Sequence, residues 1–260
     1  MQLKKLMDVG TSNPIVARTT VGLYPLIDIA RLPDETKTGI RKASFDVMRF
    51  LVEAEKVASP LMESIRSVER RMAAEGFKVQ LPTGTIETPT VGGLDATRVF
   101  LKFCKQALQS VAVAMGAMLG MSFNGPHFQR VLRRAREVWS PNHMVVKLLE
   151  ADRVWLEELN DLRSEDEHPK NGKWFVEDFD IERRSDGTYL VRSPRFFNGA
   201  PVLNRLEVYS HNLLTFSEEL LAHGLATFFP EPVCLLEIPV EKRNRVMPVR
   251  YRLGMKDPSH

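Results

Sequence analysis

Arg163 and His168, an arginine and a histidine five positions apart, stand in the most polar run of the chain: Leu159-Asn160-Asp161-Leu162-Arg163-Ser164-Glu165-Asp166-Glu167-His168-Pro169. Those two residue types suit phosphate chemistry. A guanidinium presents a fixed fork of donors to phosphate oxygens. An imidazole titrates near neutral pH and can act as general acid or base. Two further Arg-x4–6-His pairs occur, Arg205/His211 and Arg136/His143. Arg163/His168 is set apart because it closes a long amphipathic pattern in a polar cluster. On an ideal helix a five-residue step leaves two side chains roughly 140° apart. They converge only where the helix ends between them, which Pro169 and Asn171-Gly172 favour. The alternative is a solvated helix end at which Arg163 pairs with the neighbouring carboxylates.

Basic residues gather in two other places. Arg130, Arg133, Arg134 and Arg136 crowd one short helical stretch, where Arg130, Arg133 and Arg134 share a face and are the candidate substrate-binding residues. Lys242, Arg243, Arg245, Arg250 and Arg252 decorate the last strand-like segment. Either cluster could track a phosphate backbone, or be a solvated helix face and a charge-protected edge strand. Glu165-x-x-His168 has the spacing of carboxylate-bridged di-iron bundles, and Glu219 with His223 could form half of another site. Such centres need two Glu-x-x-His motifs and two further glutamates. Only one motif is present, so no metal ligand and no cofactor is assigned. Phosphate-loop, dinucleotide-binding and nucleophile-elbow motifs do not occur, which disfavours the common nucleotide-dependent and hydrolase folds.

An Arg-x4-His motif late in a helical bundle resembles the HEPN family of small helical domains. The resemblance rests on this motif and on a bundle-like layout over about half the chain. It implies an RNA partner, a homodimer, and a metal-independent endoribonuclease in which Arg163 stabilises phosphate charge and His168 serves as acid or base. HEPN domains that only bind RNA are equally compatible. The rival readings are a non-catalytic interaction or scaffold protein and a bundle metalloprotein using His168, Glu165, Glu219 and His223.

The elements that must position these residues are mainly helical. Residues 1–36 read as an irregular segment punctuated by Pro14, Pro25 and Pro33. Helical spacing runs over Arg41–Ala58, and Ser59-Pro60 marks a second helix or a sharp kink. Leu94–Met121 is the most apolar helix, expected at the middle of a bundle. Helices over 127–139 and 141–162 follow. In the helix after Asn198-Gly199, Val202, Leu206, Tyr209, Leu213, Phe216 and Leu220 repeat at steps of four and three, which marks a core face. Hairpins are expected near 173–192, turning at Ser185-Asp186-Gly187, and near 234–253, turning at Arg243-Asn244.

The fold class is therefore α+β, mainly α: a helical bundle, one domain over 37–260, with a small antiparallel β element formed by two C-terminal hairpins lying together as one sheet. Composition supports an ordered globular chain, with 43% hydrophobic and 27% charged residues. The net charge of +3 permits contact with nucleic acid without requiring it. Cys104 and Cys234 stand alone in apolar surroundings and read as free thiols of a reducing compartment. With no signal-peptide pattern at the N-terminus and no apolar run near the roughly 20 residues that span a bilayer, the expectation is a soluble, cytoplasmic protein without membrane contact.

Overall fold

The computed structural model describes residues 9–76, 79–80, 85–168 and 175–256. It is mainly helical, with small antiparallel β ladders, as the sequence suggests. The chain divides into two compact units, both discontinuous. One comprises residues 1–52, 104–158 and 212–260; the other comprises 53–103 and 159–211. Among the described residues no helix is long and apolar enough to cross a membrane.

In the first unit the N-terminal stretch, read from sequence as irregular, is helical from residue 14. Helix α1 (Pro14–Val16) runs into a π-helical turn over Ala17–Val21 and then into α2 (Leu23–Ile29). Pro14 begins helix here, and Pro25 stands inside α2 without ending it. Pro14 stands in the first turn, where its missing N–H has no helical partner to lose. The Asn13 side chain caps that turn by accepting from the Ile15 N–H at 2.8 Å. Ile15, Ala17, Leu23, Leu26 and Ile27 are buried.

Helix α3 (Asp34–Glu75) runs without interruption through Pro60. The Ser59-Pro60 start signal is overridden by the continuous apolar face on either side, in which Val47, Leu51, Leu61 and Ile65 are all buried. Helix α4 (Ala96–Leu119) ends in a left-handed Gly120 at φ 62°, and the Met121 N–H reaches back to the Gly116 carbonyl at 2.9 Å. This six-to-one bond is the Schellman pattern. It also explains Gly116, where a Cβ would overlap the Met121 carbonyl oxygen. The all-round burial expected of α4 does not hold: Val113 is 46% exposed and Ala117, one turn on, is exposed too, so one side of the helix remains open.

Helix α5 (Phe128–Val138) packs on α6 (Met144–Ala151), and α7 (Arg153–Glu167) follows after Asp152. The single helix expected over 141–162 is thus divided at Asp152, whose carboxylate accepts from the Trp155 indole N–H at 2.6 Å.

Among the described residues the β structure is four separate two-stranded antiparallel ladders, where the sequence suggests one sheet. In the second unit β1 (Val79–Gln80) pairs with β2 (Thr85–Ile86). There β4 (Asp180–Arg183) also pairs with β5 (Tyr189–Arg192) across the expected turn, enclosed by β3 (Val176–Glu177) with β6 (Arg195–Phe196). The first part of that hairpin, Lys173 and Trp174, lies outside the described residues.

Helix α8 (Val202–Ala226) carries the expected core face, with Val202, Leu206, Tyr209, Leu213, Phe216 and Leu220 at 0–1% exposure. In the first unit β7 (Val233–Glu237) pairs with β8 (Tyr251–Met255), and they are joined by a long connection containing a 3-10 turn at Val240–Lys242. The expected tight turn at Arg243-Asn244 is therefore a wider excursion. Pro239 and Pro248 cannot donate to a ladder, which shortens both strands.

Two glycine substitutions in the first unit separate packing from propensity. Gly116→Ala should destabilise the fold by about 1–3 kcal/mol, because backbone must move to admit the methyl group. Gly39→Ala, in α3 with open space around it, should stabilise by about 0.5–1 kcal/mol. Urea unfolding midpoints of the two variants check both signs.

Candidate functional site

Arg163 lies in the last turn but one of α7, within the second unit. Helix α7 runs to Glu167, and the His168 N–H still bonds the Ser164 carbonyl at 2.9 Å. Helical geometry therefore persists from Arg163 to His168, and the five-residue step turns them roughly 140° apart about the axis. The stop signals Pro169 and Asn171-Gly172 lie outside the described residues. His168 is exposed, whereas only 15% of the Arg163 side chain is accessible.

The Arg163 guanidinium is held by its own helix. One terminal nitrogen donates to Asp166, and the other lies 2.8 Å from Glu167. Asp166 also accepts from Arg98 at 2.6 Å, and only 6% of its side chain is accessible. Arg98 in turn lies over the Phe175 ring, 5.0 Å from its centroid. Two cations thus share one buried carboxylate, and Glu167 adds a second negative charge beside Arg163. Among the described residues the Arg163 Nε has no hydrogen-bond acceptor. This arrangement fixes the end of α7 and neutralises Arg163.

The α5 arginines divide differently. Phe128, Val131 and Ala135 face the core, which leaves Arg130 and Arg133 pointing away from it, whereas Arg134, expected on the same face, turns to the side and donates its Nε–H to the Leu119 carbonyl at 3.4 Å. Arg134 pairs with Glu137 at 3.1 Å, and Arg136 pairs with Glu150 of α6. Arg130 and Arg133 are exposed and have no carboxylate partner among the described residues. In the last β segment Arg250 is paired with Glu219 at 2.6 Å and Glu237 at 2.8 Å, and Arg243 with Glu237 at 3.3 Å. Much of that cluster is consequently neutralised, although Lys242, Arg245 and Arg252 remain exposed.

A second constellation, in the first unit, escapes sequence reading. Glu218 of α8 is 1% exposed and accepts from the Arg18 Nε at 2.6 Å. Burial pushes the Glu218 carboxyl above its usual range, and Arg18 pulls it part of the way back. Next to it come the Glu219–Arg250–Glu237 ion pairs and His223, whose ring meets Tyr251 edge-on with centroids 5.5 Å apart. Burial lowers His223 against the opposing pull of Glu219. It raises Tyr251, against the pull of Arg250. Asp152 is raised by burial despite its Trp155 hydrogen bond. The sequence signal is faint. Phe216, Ser217, Glu218, Leu220, Leu221 and Ala222 are all buried, and a glutamate inside such a helix requires a cation. That cation sits 200 positions away.

Glu165 and His168 belong to the second unit, Glu219 and His223 to the first. Among the described residues no group of three or more histidine, cysteine or carboxylate side chains is arranged to hold a metal ion. Comparison with protein-family models, curated proteins and solved structures finds no match to this chain.

Removing one shared or buried carboxylate is expected to be costly in both units. Asp166→Ala takes the buried carboxylate from Arg98 and leaves Arg163 with Glu167 alone, and should destabilise by roughly 1.5–3 kcal/mol, read from denaturant unfolding. Glu218→Ala leaves Arg18 buried without its partner, and a loss of about 3–5 kcal/mol is expected. Replacing both members of that pair with apolar groups, Arg18→Met with Glu218→Leu, should restore most of the loss. A double variant no more stable than Glu218→Ala would show that the pair does more than satisfy itself.

Proposed function

We propose that the protein binds RNA without cleaving it, through the outward face of α5. The supporting observation is the contrast between two sets of arginines. Arg130 and Arg133 are exposed and lack carboxylate partners among the described residues, whereas Arg163 is engaged by Asp166 and Glu167. An unpaired guanidinium can exchange condensed counterions for contacts with a phosphate backbone, which is the main source of sequence-independent affinity. A paired one must first lose its carboxylate. The HEPN resemblance in sequence points to the same ligand class, and a homodimer would present two such faces.

The endoribonuclease reading asks Arg163 and His168 to act on one phosphate, and a continuous helix turns them apart. RNA binding is measured by fluorescence anisotropy of labelled single-stranded RNA across a salt series. Salt-dependent binding is expected. Arg130→Ala with Arg133→Ala should weaken it and flatten the log–log salt slope by about 1.4, at roughly 0.7 per phosphate contact on a single strand. Binding that is absent, or unchanged in the double variant, removes the proposal. Incubation of the same RNA without metal should leave no 2′,3′-cyclic phosphate ends. If such ends appear and His168→Ala abolishes them, the cleavage reading replaces this one.

A further inference from the structure

The corner between α5 and α6 is closed by a histidine used in an unusual way. His143 occupies the N-cap of α6 in extended conformation, at φ −64° and ψ 142°. Its Nδ1 accepts from the Val145 N–H at 3.2 Å. The Val146 and Lys147 N–H groups bond its carbonyl at 3.0 and 3.1 Å. On the other side its ring lies against Trp139, the C-cap of α5, with centroids 4.7 Å apart and planes inclined at 31°. Asparagine, aspartate, serine and threonine cap helices with an oxygen that accepts at neutral and mildly acidic pH. An imidazole caps only while Nδ1 carries no proton, so the neutral ring must be the Nε2–H tautomer.

From this geometry we infer that His143 is a proton-operated latch: neutral, it caps α6 and seats Trp139; protonated, it releases the α5–α6 corner. Protonation turns the Nδ1 acceptor into a donor that faces the Val145 N–H, and places positive charge at the positive end of the α6 dipole. The surrounding charges do not rescue it. On α5, Arg136 is held by Glu150 of α6, and on α6 Lys147 is exposed and positive. From α8, His223 lies within electrostatic range of His143 and is itself surrounded by Glu219, Arg250 and Glu237. A charged His143 disfavours protonation of His223. Stacking on Trp139 would favour the cation, but it competes with a lost hydrogen bond and a helix dipole.

Burial lowers His143 from its ordinary value, in the same direction. A histidine depressed in the folded state contributes its full stability above about pH 6.5, and that contribution falls away as pH drops below this value. The latch is therefore closed at neutral pH and opens in mild acid.

Hydrogen exchange of the Val145 amide, corrected for its intrinsic rate, reads the latch directly. In the wild-type protein its protection should fall about five-fold between about pH 7.5 and about pH 5.5, the loss of one cap. His143→Asn keeps a capping oxygen and should hold protection constant over that range. His143→Ala should give the low value at both ends. His223→Gln should retain the wild-type fall. Imidazole nitrogen shifts should identify Nδ1 as the unprotonated nitrogen of His143 at neutral pH. The proposal is overturned if wild-type protection is flat, if His143→Asn loses protection as the wild type does, if the fall disappears in His223→Gln, or if Nδ1 carries the proton at neutral pH.

Discussion

A carboxylate with almost no access to water, in a stretch of helix where Phe216, Ser217, Leu220, Leu221 and Ala222 are buried too, must be matched by a cation, and in this chain Glu218 is matched by Arg18. The first unit depends on that requirement. It fixes the π-helical turn that precedes α2 against the middle of α8, although the two stand 200 residues apart. The Arg18 side chain is 12% accessible, so the pair is desolvated on both sides, and its attraction is little screened. Two neighbouring threonines bond the backbone one helical turn earlier: Thr19 to the Ile15 carbonyl at 2.6 Å and Thr20 to the Val16 carbonyl at 2.7 Å. The polar groups of this turn are thereby satisfied internally, and its apolar neighbours can be buried without orphaned donors.

Ion pairing also decides which arginines remain open to a ligand. Arg98, Arg163 and Arg195 of the second unit are bound to carboxylates, as are Arg18, Arg136, Arg243 and Arg250 of the first. A formal charge of +3 says little about this distribution, because an arginine beside two carboxylates presents no net positive charge to a phosphate. The outward face of α5 is different because its own helix supplies one acid, Glu137, for Arg130, Arg133 and Arg134 together, and that acid is on Arg134.

How much of this was readable in sequence follows from the range of each interaction. The 4-3-4 spacing in α8 is local, depends only on helical periodicity, and identifies six buried residues correctly. The hairpin turning at Ser185-Asp186-Gly187 is local too, with Gly187 at φ 82° and Asp186 accepting from the Thr188 N–H at 2.9 Å. Failures arise where a local signal meets a distant one. Pro14 looks like a breaker until the buried face of the helix it begins is known. Pro60 looks like a boundary, but the apolar face of α3 continues across it. The two C-terminal β segments look like one sheet because periodicity carries no information about which ladders join. Glu218 looks like a surface acid until its surroundings are known. In sequence His143 stands out only as the second member of the Arg136/His143 pair, and its role emerges only from the ring nitrogen that accepts from the Val145 N–H.

The same reasoning bears on the Arg163 motif. A motif of two residues names side chains but not the direction in which a helix presents them. With helical bonding continuous to His168, the two groups leave α7 on different sides, so joint action on one phosphate would need a second chain to supply one of them. A phosphate approaching Arg163 would also have to displace Asp166, and Asp166 carries Arg98 as well. Ligand binding there would break two ion pairs and expose a carboxylate that is now almost wholly covered. Arg130 and Arg133 ask for neither change. Because affinity is a difference between bound and free states, the groups with least to give up on binding are the better ligands for a polyanion, and Arg130 and Arg133 of α5 are among them.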